Sequence, residues 1–242
     1  EEEIDLWYFG LLRKSWEKFA KVAFLEHKKL AEAVAKQFSG LGVAAAAVES
    51  IMEELKLDAE NPLKWSDEDL KLFATAMRRK TKPMLIAANK CDIPAAAENI
   101  KRLQQQFPTY KIIPCSADSE LTLKMAAKAG LIRYIPGDSS FEIVDAAKLS
   151  QQQLKALKFI KTDVLEVYGN TGVQQALNAA LFDLLGYVAI FPGGVNKLSD
   201  QFGRVLPDCF LMPPKTTALD FAFKLHTDFG KNFIRAMSGS AP

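Results

Sequence analysis

Residues 83–94 read PMLIAANKCDIP, an apolar run that stops at Asn89-Lys90-Cys91-Asp92. Guanine presents N1–H and an exocyclic amine side by side, and one carboxylate can accept both hydrogen bonds. Asp92 is the candidate carboxylate, and adenine would leave it unpaired because adenine lacks this pair of donors. Asn89 would place its amide between the base and neighbouring loops, while the methylene stem of Lys90 would cover the ring face. These three side chains predict a guanine-binding loop.

A second loop of comparable chemistry follows the next apolar run, in the stretch YKIIPCSADSE at residues 110–120. It places Ser116 and Ala117 at a strand end, where small residues let backbone N–H groups approach a ligand. An alternative is that both loops contain only helix caps, an Asn-x-x-Asp turn in the first and a serine cap in the second. Two such loops on adjacent strand ends favour nucleotide recognition, with Ser116 and Ala117 added to the guanine-binding residues.

The elements that must position these loops alternate between strand and helix. The apolar run 84–88, preceded by Pro83, predicts a short strand buried on both faces of a sheet. Further predictions are a helix over about 95–106, a strand over 110–115 and a helix opening near Ser119. This alternation predicts an α/β fold with a parallel βαβ unit, whose loops share the carboxyl edge of the sheet.

The remaining chain reads mostly as helix. Apolar residues recur every three or four positions over residues 4–38, which predicts one long helix, and a capping sequence at Ser66 opens another. Other predicted elements are helices over 44–57, 149–168 and 173–185, a break at 169–172, and a strand over 187–191. Proline- and glycine-rich sequence predicts a domain boundary near 193–206.

Composition sets broad limits on function. The chain has 242 residues, 49% of them hydrophobic, and a formal charge of +2, so it can form two modest domains and shows no overall basic bias toward nucleic acid. No apolar run approaches the roughly 20 residues of a membrane-spanning helix, so no membrane partner is predicted. Three widely spaced cysteines without a C-x-x-C pair indicate neither a disulfide framework nor a zinc site, and a cytoplasmic location is predicted.

The two loops resemble motifs of a known family. NKCD, followed by a strand and CSA, is similar to the fourth and fifth guanine-recognition motifs of P-loop GTPases, N-K-x-D and S-A-x. Residues 210–237 resemble the start of a TGS domain, a small β-grasp module whose helix reads I-H-T-D-L-G; residues 225–230 here read LHTDFG. A GTPase with a helical arm before N-K-x-D and a TGS domain after it resembles the YchF branch of the Obg family.

The resemblance implies a division of the chain. Residues 1–82 would be a helical arm inserted in the GTPase domain, 83–200 the C-terminal part of that domain, and 201–242 a partial TGS domain. Many YchF proteins end the fourth motif in Glu and accept adenine nucleotides, so Asp92 implies GTP and GDP instead.

The family's phosphate motif, G-x-x-x-x-G-K-[ST], does not occur in the 242 residues, and no D-x-x-G lies ahead of the NKCD loop, where the family has that motif for the water and magnesium side. In these proteins both precede the arm, so the chain is expected to hold only the guanine-recognition part of the site. Mg²⁺ is expected in the parent protein, with no ligand identified here, and the catalytic residues are unknown.

Two functions remain open. The first is a GTP-hydrolysing switch that acts with the ribosome or translation machinery, with the arm and TGS portion contacting partners. Lysines on the first helical segment would meet RNA phosphates: Lys14, Lys18, Lys21, Lys28 and Lys29. The alternative is a non-enzymatic RNA- or protein-binding module that retains NKCD as a relic. A P-loop upstream in the natural protein would favour the enzyme.

Overall fold

The computed structural model describes residues 2–25, 30–193, 198–200, 202–206 and 208–237. The chain divides into two compact units, Glu1–Met84 and Leu85–Pro242.

The first unit is helical. Its helices are α1 (Glu2–Leu25), α2 (Leu30–Gln37), α3 (Ala45–Glu54) and α4 (Asp67–Thr81). The continuous helix predicted over residues 4–38 includes 26–29, which lie outside the described residues, as do Lys28 and Lys29 of the predicted basic side. The capping box at Ser66 is confirmed, because its hydroxyl accepts from Asp69 N at 3.1 Å while Ser66 N donates to the Asp69 carboxylate at 2.8 Å.

In this unit an apolar core joins α1 to α4 and to the segment before it, and two ion pairs, Arg78 with Asp5 and Arg13 with Asp67, join the two helices. Trp16 stacks on Trp65 with 4.9 Å between ring centroids, and the Trp16 indole N–H donates to Pro62 O at 3.0 Å. Arg78 is 1% exposed, and its Nε and Nη2 donate to the two carboxylate oxygens of Asp5 at 2.6 and 3.3 Å. Such a bidentate pair fixes both side chains in one geometry.

The second unit opens with the predicted βαβ arrangement, which is confirmed. Strands β1 (Ile86–Asn89) and β2 (Ile112–Cys115) pair in parallel, with Ile86 opposite Ile112 and Asn89 opposite Cys115. The connecting helix α5 spans Ala96–Gln106, and α6 (Ala117–Lys128) follows β2. The carboxyl ends of both strands therefore meet at one edge.

The prediction that the first strand is buried on both faces is wrong. Ala87 and Asn89 are exposed, whereas Ile86 and Ala88 are half-buried. Successive strand residues face opposite sides of a sheet, and the described residues cover only one side of β1. An uninterrupted apolar run does not reveal such one-sided burial, because the exposed residue Ala87 is as apolar as its half-buried neighbours.

Short elements complete the second unit. They are β3 (Ile132–Arg133), β4 (Glu142–Ile143), α7 (Gln151–Phe159), α8 (Glu166–Tyr168), α9 (Val173–Asn178), β5 (Val188–Ile190), β6 (Phe210–Met212), α10 (Ala218–Leu225) and α11 (Thr227–Lys231). The turns Ile160–Leu165 and Ala179–Leu184 are π-helical, and they continue α7 and α9 respectively.

The pairs β3 with β4 and β5 with β6 are antiparallel. Since β5 precedes residue 200 and β6 follows it, one sheet joins the two sides of the predicted domain boundary. The division between a GTPase part and a TGS part stays a prediction. Within the described ranges, no helix is long and apolar enough to cross a membrane.

Candidate guanine-binding loops

Two hydrogen bonds join the loop after β1 to the loop after β2. We call residues 89–92 the first loop and residues 115–119 the second loop. Cys91 N donates to Cys115 O at 2.9 Å, which extends the parallel pairing past the end of β1. Asn89 Oδ1 accepts from Ala117 N at 3.1 Å. The amide side chain of Asn89 therefore ties the first loop to the start of α6.

The first loop is a tight turn with an unusual backbone conformation. Lys90 has a φ of 65°, and its carbonyl oxygen accepts from Ile93 N at 3.2 Å. A left-handed conformation costs a residue with a side chain about 1–2 kcal/mol, so the surrounding contacts must hold it. This turn leaves Lys90 exposed and Asp92 half-buried.

Ser116 and Ala117 differ in their surroundings. Ser116 is 1% exposed and caps α6, since its hydroxyl accepts from Ser119 N at 3.4 Å and lies 2.8 Å from Ser119 Oγ. The helix-cap alternative thus describes the Ser116 hydroxyl. Ala117 is exposed and is the first residue of the helix. The partial positive charge of a helix N-terminus lies at this position.

The structure brings the five predicted residues to one edge of the parallel pair. Three of them, Asn89, Lys90 and Asp92, belong to the first loop, and the other two, Ser116 and Ala117, belong to the second. Their contacts with one another are the bonds given above. Their contacts with a base stay predictions.

Sequence reasoning missed a third participant, the 168–172 segment. The Tyr168 hydroxyl donates to Cys91 O at 3.0 Å, and Thr171 O accepts from Ser116 N at 2.8 Å. One segment therefore contacts both loops. Its local signal, Gly-Asn-Thr-Gly, indicates only a break between helices, because nothing local specifies contacts with positions far away in sequence.

Burial controls the ionisation of the groups behind the first loop. Desolvation raises the pKa of the Cys91 thiol to about 11, and the negative charge of Asp92 adds to this shift. Desolvation also raises the pKa of Tyr168, with smaller contributions from Cys91 and Asp92. At neutral pH both groups are protonated, so Tyr168 can donate its hydrogen bond and Cys91 is an unreactive thiol.

The described residues do not fit a metal centre. No group of three or more His, Cys, Asp or Glu side chains among them could hold a metal ion. A polar cleft elsewhere in this unit is lined by residues that include Lys111, Gln174 and Asn178. None of the five predicted guanine-binding residues lines that cleft.

The chain resembles GTP-binding proteins of three organisms. Residues 87–194 match the family described as Obg-like GTPase YGR210-like, G4 motif-containing domain. The chain is 44% identical over 236 residues to the uncharacterized GTP-binding protein MJ1332 of Methanocaldococcus jannaschii, covering 97% of this chain and 58% of that protein. It is 28% identical over 226 residues to the uncharacterized GTP-binding protein C428.15 of Schizosaccharomyces pombe, covering 90% and 54%.

A solved structure gives the same relationship. The crystal structure of a GTP binding protein from Pyrococcus horikoshii OT3 aligns with a TM-score of 0.74 and 45% identity, covering 96% of this chain and 61% of that one. This chain spans just over half the length of the curated relatives it matches. The match of residues 87–194 contains both loops and the 168–172 segment. The chain is therefore similar to Obg-like GTP-binding proteins over residues 87–194, and to proteins described as GTP-binding along nearly its whole length.

Proposed function

We propose that this chain supplies the guanine-recognition part of a GTP-binding protein. In this proposal the Asp92 carboxylate accepts hydrogen bonds from guanine N1–H and the exocyclic amine. The observation that carries the proposal is the bond from Ala117 N to Asn89 Oδ1, which holds the two loops together beside Asp92. The names of the three relatives, all of which say GTP binding, support the same assignment.

Each remaining loop residue has a role in this proposal. The stem of Lys90 covers one face of the base, and the exposed position of that residue leaves its side chain available. Asn89 positions the loops relative to each other, Ser116 builds the second loop as the helix cap, and Ala117 provides a surface without a bulky side chain. Specificity for guanine over adenine then depends on one carboxylate.

Phosphate chemistry belongs, in our proposal, to parts of the protein beyond this chain. The 242 residues contain no G-x-x-x-x-G-K-[ST] sequence, and the described residues do not form a metal centre. GTP hydrolysis would be phosphoryl transfer to water in the full-length protein, where Mg²⁺ and a phosphate-binding loop would act together.

The finer family assignment is also a proposal. We infer that the protein is of the YchF type, with residues 1–82 as an inserted helical arm and 201–242 as the start of a TGS domain. The order of β6 and the capped helix α10 over residues 210–225 supports a β-grasp beginning. We propose that the GTP-bound and GDP-bound proteins differ in their action on the ribosome or its RNA in the cytoplasm.

Nucleoside titration tests the guanine assignment on the 242-residue chain itself. Guanosine, adenosine and xanthosine are titrated separately into isotope-labelled protein, and the amide signals of residues 89–92 and 115–119 are followed. We expect guanosine to shift these signals at concentrations where adenosine does not. Asp92→Asn should weaken guanosine binding about tenfold or more, because a hydrogen-bonded charged group is worth about 1.5–3 kcal/mol. Xanthosine should gain affinity for this variant, since xanthine offers the complementary donor and acceptor pattern.

Asp138→Asn is the matched control, because Asp138 is exposed and lies outside both loops. Unchanged guanosine affinity in Asp92→Asn would defeat the base assignment. If the wild-type chain binds RNA but no guanosine, the non-enzymatic module with a relic motif replaces our proposal. In the full-length protein, Asp92→Asn should likewise lower the rate of GTP hydrolysis and raise the rate of xanthosine triphosphate hydrolysis.

A further inference from the structure

The 168–172 segment contacts both base loops through backbone atoms of those loops. The Tyr168 hydroxyl donates to Cys91 O at 3.0 Å, and Cys91 stands between Lys90 and Asp92 in the first loop. Thr171 O accepts from Ser116 N at 2.8 Å, directly before Ala117 in the second loop. The first contact is one residue away from Lys90 and Asp92, and the second is with Ser116, which is itself a predicted guanine-binding residue.

A buried network fixes the far side of the segment. Thr171 is fully buried, and its hydroxyl donates to Glu120 Oε2 at 2.6 Å. The Tyr134 hydroxyl donates to the same carboxylate oxygen at 2.7 Å and accepts from Gly137 N at 3.3 Å. Burial, followed by the hydrogen bond to Glu120, raises the pKa of Tyr134 to about 12, so the phenol remains a donor at neutral pH.

Close backbone approach adds a third constraint. Gly172 has a φ of 78°, and a Cβ at this position would lie 1.8 Å from Pro114 O. Only glycine permits that approach between the segment and the end of β2. The segment is therefore held against the second loop by the bond from Ser116 N, against α6 by the buried Thr171 hydroxyl, and against β2 by the steric fit at Gly172.

We propose that the 168–172 segment is a positioning element for guanine recognition, in which Tyr168 holds the first loop and Thr171 holds the second. This inference rests on the proposed function. Its physical basis is that binding depends on the placement of hydrogen-bonding groups to within a fraction of an ångström. Because Lys90 is held in a left-handed conformation, the first loop needs such external support.

Conservative variants separate positioning from folding. Thr171→Val removes the buried hydroxyl at nearly constant volume, and Thr171→Ser restores it. Tyr168→Phe removes one hydroxyl from a half-buried ring, so this variant is expected to fold even if Thr171→Val does not. Tyr187→Phe, a half-buried tyrosine outside the segment, is the matched control.

The first readout needs no nucleotide. Amide hydrogen exchange at Ser116 and Ala117 should accelerate in Thr171→Val and return toward the wild-type rate in Thr171→Ser. Tyr168→Phe should shift the amide signal of Asp92, because the preceding Cys91 carbonyl loses its hydrogen-bond donor. Tyr187→Phe should change neither. Unaltered signals and exchange rates in both Thr171→Val and Tyr168→Phe would overturn the positioning role.

The second readout is guanosine affinity. We expect Thr171→Val and Tyr168→Phe each to weaken guanosine binding about three- to tenfold, with recovery in Thr171→Ser. Wild-type binding with unaffected variants would overturn this inference and leave the proposed function intact. A wild-type chain that binds no guanosine would refute the proposed function and, with it, the claim that the segment serves guanine recognition. The exchange measurement would then report only whether the segment holds the loops.

Discussion

Gly172→Ala gives the sharpest test of the packing between the 168–172 segment and β2. The left-handed conformation at φ 78° alone costs alanine about 1–2 kcal/mol. A Cβ 1.8 Å from Pro114 O cannot be accommodated without moving backbone, which would also strain the bond from Ser116 N to Thr171 O. Adding about 1–3 kcal/mol for a compromised buried hydrogen bond gives a total loss of about 2–5 kcal/mol in the free energy of unfolding.

Gly130→Ala is the matched control, because Gly130 has a similar φ of 70° but open space around it. Among the described residues, a Cβ added at Gly130 would meet no atom within 4 Å beyond its chain neighbours. This control should lose only the conformational contribution, about 1–2 kcal/mol. The difference between the two variants isolates the close approach at Gly172. Equal losses in both variants would refute the claim that contact with Pro114 makes glycine necessary.

The assay must follow the second unit separately. All three tryptophans, Trp7, Trp16 and Trp65, lie in the first unit, so their fluorescence in urea reports unfolding of that unit. Amide hydrogen exchange of residues 85–193, measured by mass spectrometry, reports the second unit. We expect Gly172→Ala to accelerate exchange there, with the tryptophan transition unchanged as an internal reference.

Two further predictions concern charges and thiols. Asp5→Asn should lower the free energy of unfolding of the first unit by about 2–4 kcal/mol, because it weakens the bidentate pair of the buried Arg78 guanidinium; tryptophan fluorescence in urea measures this loss. Asp67→Asn removes a charge from an exposed ion pair and should cost only about 0–1 kcal/mol. Equal losses in the two variants would contradict this reasoning. Iodoacetamide at pH 8 should label exposed Cys209 well before Cys91, whose thiol has a pKa raised by burial to about 11. Peptide mass spectrometry measures the rates, and equally rapid labelling of Cys91 would show that the first loop opens.

Local signals in the sequence were sufficient for the strand-helix-strand unit and for the position of both loops. The apolar runs end at Asn89 and Cys115, where the structure ends β1 and β2, and the cap at Ser66 depends on residues three positions apart. Strand ends and helix caps are determined by residues within one strand or within one or two helical turns, so a single sequence is enough to predict them.

Other features depended on neighbours that the sequence does not identify. Burial of β1 on one side only follows from the arrangement of distant elements, none of which covers Ala87 among the described residues. The helical signature at residues 225–230 is interrupted, because His226 is extended and caps α11. The 168–172 segment was predicted only as a break. Its role at the loops depends on hydrogen bonds with Cys91 and Ser116, which no local pattern specifies.

The separation of these partners along the chain has a consequence for biosynthesis. Tyr168 follows Cys91 by 77 positions, and Thr171 follows Glu120 by 51. During synthesis from the N-terminus, both loops are complete long before the 168–172 segment has been made. Contacts between residues far apart in sequence also form late in folding, because the intervening chain must first be ordered. We therefore expect nascent chains that end before residue 168 to carry the guanine motifs without the ability to retain a nucleotide.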